Sequence, residues 1–210
     1  MKENQKGLTL IEMMIAMVIG LLIVGTVITM FITNVRSNSD NVSMIRLNQE
    51  LRGVMTFISD DLKRAGYSDD AEVDTFINEF NISANCIRYS YDDPSNGTLN
   101  GVRDASERFG FRAVDTADDA DSNIDTIQWG RTNTDPMTNC NNGVWNPITE
   151  YDLAEITSFT VTDSSVSTPS ATVTIPQLTI SITGQTTLSG GTIASRTISE
   201  VIRLRNDQEI

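Results

Sequence analysis

The chain has 210 residues, enough for one or two domains, and carries 15 basic against 28 acidic side chains, a net charge of −13 with no histidine. The missing histidine excludes Ser–His–Asp catalysis and any His-based metal centre. The acidity argues against nucleic acid as a partner, because that binding depends on Lys and Arg neutralising phosphates.

In chain order, the first predicted element is apolar. From Met13 to Val35 no side chain is charged, and these 23 residues span about 34 Å as a helix, enough for a bilayer core of about 30 Å. A cleaved secretory signal also begins with basic residues before an apolar run. Here the run is too long for one, and Phe31-Ile32-Thr33-Asn34 lacks the small residues of a cleavage site. Charge does not orient the helix, since Lys2 and Lys6 on one side nearly balance Arg36 and Arg46 on the other. Glu12 stands at the start of this segment. A charge at the centre of a membrane helix costs about 2.5–3.5 kcal/mol, so it either meets a partner or sits in the interface as a first-turn acid.

The neighbours of Glu12 bear on that choice. Lys6-Gly7-Leu8-Thr9-Leu10-Ile11-Glu12 resembles the class III signal of type IV prepilins: a basic leader, Gly, an apolar residue, and Glu five positions after that Gly. The resemblance implies cleavage between Gly7 and Leu8 by prepilin peptidase on the cytoplasmic side, and N-methylation of the new amine on Leu8. Leu8 stands where most members of the family have Phe. Cleavage creates an α-amine, with a reference pKa of about 8, at the start of an apolar helix that already holds Glu12. In a filament core, the amine of one subunit meeting the carboxylate of its neighbour would make both charges tolerable and would set subunit register. The implied orientation places the leader in the cytoplasm and the head in the periplasm, first at the bacterial inner membrane and then on the pilus at the cell surface.

Beyond Arg36 the chain turns polar, yet Met44, Leu47, Leu51, Val54, Ile58, Leu62 and Ala65 recur every three or four residues as one apolar helical face. Arg46, Glu50, Asp60, Asp61 and Lys63 read as lying largely on other faces. A free coiled coil is the competing reading, but the pattern is short of three to four heptads. A continuous helix from Leu8 to Ala65 is about 87 Å long, with Gly66 suited to its left-handed end. The segment from Arg46 to Tyr67, ending Asp61-Leu62-Lys63-Arg64-Ala65-Gly66-Tyr67, is similar to the post-membrane segment of PilW-type minor pilins. Many major pilins carry a Pro in the second half of the apolar run; this chain has none there.

From Tyr67 onward the pattern is of short strands: 87–91, 109–114, 124–129, 156–162, 171–175, 178–182 and 198–204, separated by Gly and Pro. The expected fold class is α+β, a long N-terminal helix packed on an antiparallel, β-rich globular head. The expected divisions are a leader at 1–7, a transmembrane or filament-core helix at 8–35, an amphipathic helix at 36–66 and the head at 67–210.

Cys86 and Cys140 are the only cysteines. Outside the cytoplasm such a pair is expected to form a disulfide worth about 3–4 kcal/mol, the alternative being two buried thiols. Asp119, Asp121, Asn123 and Asp125 alternate like the first ligands of a calcium loop, but Ile124 replaces the turn glycine and Gly130 the bidentate acid, so a solvated acidic loop is favoured. Roughly half of residues 157–199 are Ser or Thr, which suits either the solvent face of exported strands or a surface for carbohydrate or another pilin. Trp129, Trp145 and Tyr151 read as packing residues ahead of sugar-stacking ones.

The reading is a minor pilin, a structural and assembly component with no enzymatic activity and no cofactor. Its expected partners are prepilin peptidase, other minor and major pilins, the inner-membrane pilus assembly platform and the membrane. The alternatives are a type II secretion pseudopilin and a membrane-anchored calcium- or glycan-binding module.

Overall fold

The computed structural model describes residues 7, 9–69, 76, 81–83, 85–94, 99, 101–116, 124–131, 140–167, 173–204 and 208–209. Helix α1 (Leu10–Leu62) is one uninterrupted element of 53 residues, about 80 Å long. It stops short of the expected Ala65, because residues 63–66 form a turn that Gly66 closes at φ 76°, a conformation a Cβ disfavours. From Leu10 to Ser39 every side chain is exposed, and this half is long and apolar enough to cross a membrane. Its threonines carry their polarity internally: the hydroxyls of Thr26, Thr29 and Thr33 donate to the carbonyls of Ile23, Gly25 and Thr29 at 2.8–2.9 Å. Burial of α1 begins only at Leu47, where the predicted stripe meets the head.

The head is built from β1 (Asn81–Ser83), β2 (Cys86–Ser90), β3 (Arg108–Val114), β4 (Thr126–Arg131), β5 (Val144–Pro147), β6 (Glu155–Asp163), β7 (Val166–Ser167), β8 (Val173–Ile175), β9 (Gln177–Thr187), β10 (Ile193–Arg203) and β11 (Gln208–Glu209). The first five form an antiparallel meander in chain order. The remaining strands divide: β10-β9-β6 make a second antiparallel sheet, and β11-β8-β7 a small third one. The expected strand at 124–129 begins two residues later, because Asp125 is occupied in closing the preceding loop.

Alternation decides which face is buried. Ile87 and Tyr89 of β2, Phe109 and Phe111 of β3, and Ile127 of β4 point inward, as do Leu178, Ile180 and Ile182 of β9. They meet Leu47, Leu51, Val54, Ile58 and Leu62 of α1 in one core. In β6 a bulge between Ile156 and Ser158 adds a residue, so Ile156 and Phe159 both reach the core although their spacing would otherwise put them on opposite faces. Gly184 of β9 lies directly under the helix: a Cβ there would sit 3.0 Å from Leu51 Cδ2 and 3.3 Å from Leu47 Cδ1. The β9–β10 hairpin is tied to α1 at both ends, by Ser189 N donating to Asp40 Oδ1 (2.7 Å) and Ser59 Oγ donating to Glu200 Oε1 (3.1 Å).

Candidate functional site

The N-terminal segment places the predicted processing residues at the mouth of α1. Gly7 is exposed with open space where a Cβ would go, so the fold itself does not demand glycine there. Leu8 lies outside the described residues. Thr9 is the N-cap, with φ −79° and ψ 151°. Its hydroxyl accepts from Glu12 N (3.4 Å), and its own N–H and hydroxyl donate to Glu12 Oε2 (3.2 and 3.1 Å), a reciprocal capping box. Glu12 is thus a first-turn acid that satisfies a free helix-end N–H and complements the helix dipole. In sequence, Glu12 stands four residues after Leu8, where cleavage after Gly7 would create an amine.

At the other end of α1 the structure corrects the sequence reading of Asp61. It is buried, not on an outer face. Its Oδ2 accepts from the Tyr89 hydroxyl and from Trp129 Nε1 (3.1 Å), and its Oδ1 accepts from the Tyr91 hydroxyl (3.0 Å). Arg64 approaches the same carboxylate at 3.9 Å. Burial and the Asp61 charge push both tyrosine hydroxyls above their ordinary pKa, because ionising either would place a second anion beside the first. The network bolts the helix to the middle of the five-stranded sheet. It also holds Trp129 half-buried against the core. A signal for it was present: Val54, Ile58, Asp61 and Ala65 keep the same three-and-four spacing as the apolar stripe, so a polar residue at position 61 had to be buried with partners.

Cys86 and Cys140 form a disulfide with Cα atoms 6.4 Å apart. Of the calcium candidates, Asp119, Asp121 and Asn123 lie outside the described residues. Asp125 turns its carboxylate onto Thr116, accepting the backbone N–H (2.9 and 3.0 Å) and the hydroxyl (2.9 Å). Among the described residues no group of three acidic or thiol ligands is placed to hold a metal.

Two family models match this architecture in two consecutive pieces. Residues 2–28 match the prokaryotic N-terminal methylation motif, and residues 40–204, the stripe and nearly all of the head, match prepilin peptidase-dependent protein B. The chain belongs to the prepilin peptidase-dependent protein B family. It is therefore a type IV pilin-like protein with a prepilin-type signal, and its apolar helix fits a membrane anchor. No curated protein and no solved structure matches the chain. For this prepilin peptidase-dependent protein, the motif match over residues 2–28 spans Gly7, the N-cap Thr9 and the first turns of α1.

Proposed function

We propose that the chain is a minor pilin whose work is assembly, not catalysis. It is cleaved between Gly7 and Leu8 by prepilin peptidase, methylated on the Leu8 amine, and held in the inner membrane with its head in the periplasm. From there it joins other minor and major pilins on the assembly platform and helps to prime a type IV pilus. The observation that carries this reading is the coincidence of the Gly7–Glu12 spacing with a single helix, wholly exposed over Leu10–Ser39 and buried from Leu47 onward. Such a helix has an apolar half with no partner in its own chain, which membrane and then filament neighbours would cover in turn. Glu12 pairs with the amine of an adjacent subunit, giving up its own Thr9 contacts to do so.

Mass spectrometry of the protein isolated from membranes tests the processing step. A mature chain beginning with N-methylated Leu8 is expected; a chain beginning at Met1, or after Phe31, removes the basis of the proposal. Deletion of the gene separates the pilus from a type II secretion system, since loss of surface pili with secretion intact is the pilin outcome. The PilW-type likeness of residues 46–67 supports the pilus.

A further inference from the structure

The outer face of the five-stranded sheet concentrates positive charge in an otherwise strongly acidic chain. Arg88 of β2 and Arg112 of β3 both lie there, flanking the Trp145 ring with guanidinium carbons 5.4 and 4.5 Å from its centroid. The ring fits because β3 and β4 carry glycine beneath it: a Cβ on Gly110 would stand 3.1 Å from the indole, and one on Gly130 2.7 Å. Arg88 is 1% exposed and gives Nη2 to the Asn142 carbonyl at 2.7 Å. Arg112 is half-buried and gives Nε to Gln128 Oε1 (2.9 Å) and Nη1 to the Cys140 carbonyl (2.8 Å). Every one of these acceptors is neutral; among the described residues no carboxylate pairs with either guanidinium. Arg88 Nε and Trp145 Nε1 are buried donors with no acceptor among the described residues. Burial, and for Arg88 the nearby Arg112 charge, lowers both arginine pKa values, as expected where positive charge is desolvated without an anion.

One buried and one half-buried cation, with two orphaned N–H donors on the same face, call for an acceptor that carries negative charge. We propose that this face binds a small monovalent anion, of chloride or formate size, among Arg88, Arg112 and the Trp145 indole N–H, directly beneath the disulfide-linked segment 140–147. The indole N–H and the guanidinium N–H groups supply the hydrogen bonds. The anion would satisfy the donors and neutralise the repulsion between the arginines.

The test uses the full chain in detergent micelles at constant ionic strength. The melting temperature of the head is followed by tryptophan fluorescence as gluconate, too large for the site, is replaced by chloride or by formate. A saturable rise in Tm is expected; a rise in chloride identifies a halide-sized site, and a rise in formate alone a carboxylate-sized one. Trp145→Phe keeps an aromatic ring over the two glycines but removes the N–H, and should cut the Tm shift at least twofold. Arg52→Gln, an exposed helix position far in sequence from the site, should leave the shift intact. Equal Tm in all three salts, or a smaller reduction in Trp145→Phe, overturns the proposal.

Discussion

Asp61 is the residue on which the union of helix and sheet depends most. Alone among the acids of α1 it is buried, and three side-chain donors from β2, β4 and the residue following β2 converge on it. Removing an acceptor orphans those donors in the core, each at about 1 kcal/mol or more, so Asp61→Ala should lower stability by about 3 kcal/mol. Urea unfolding of the micelle-bound protein at neutral pH measures it; a loss below about 1 kcal/mol would mean the donors find other acceptors. The same network sets a limit at alkaline pH. Tyr89 and Tyr91 have folded-state pKa values raised above 10, by burial first and the Asp61 charge second. A raised folded pKa contributes stability that is fully present below the unfolded value and is lost as pH climbs through the folded one. Stability should therefore be insensitive to these two groups below about pH 10 and fall steadily above it. Tyrosinate absorbance checks this: two of the four tyrosines should ionise only as the head unfolds.

At the scale of elements, α1 is governed by what lies at its start and under its middle. The Thr9–Glu12 capping box gives Glu12 two separable properties, a hydrogen-bonding side chain at the third helical position and a negative charge. Gln retains the first and lacks the second. Glu12→Gln and Glu12→Ala should therefore both be cleaved after Gly7 yet both fail to enter filaments, as read by immunoblots of sheared surface fibres. Normal incorporation of Glu12→Gln would show that capping, and not charge, is what assembly needs. Further along, Gly184 allows β9 to approach α1 closely. Its nearest neighbour is the end of the flexible Leu51 side chain, so Gly184→Ala should cost little. The larger, branched Gly184→Val must push helix and sheet apart and should cost about 1–3 kcal/mol in urea denaturation.

Over the whole molecule, the single disulfide closes a covalent loop. It joins positions 54 residues apart, tying β2 to the segment that covers the outer face of the sheet. In the chain-entropy account its removal should cost about 3–4 kcal/mol. The midpoint of urea unfolding with and without reductant measures this, and an unchanged midpoint would show that Arg88, Arg112 and Trp145 hold the segment without covalent help. The distribution of exposure is the other whole-molecule property. One end of the chain is an apolar helix with no partner, and the other is a closed core under a polar, acidic surface. That asymmetry fits a membrane-anchored pilin-like protein.

Much of this was legible in order along the chain. The 3.6-residue period placed Leu47, Leu51, Val54, Ile58 and Leu62 on one buried face, and a charge-free run marked a helix long and apolar enough to cross a membrane. The Gly7–Glu12 spacing identified the processing signal, because local periodicity and short motifs are properties of neighbouring residues. Only the tertiary structure decided the rest. Asp61 became a core acceptor because Tyr89, Tyr91 and Trp129, distant in sequence, converge on it. Trp145 found its seat because β3 and β4 align two glycines on one face, and the strands split into separate sheets because pairing partners are chosen by packing across the core. Such contacts join residues tens of positions apart, and no local pattern encodes which of them will meet.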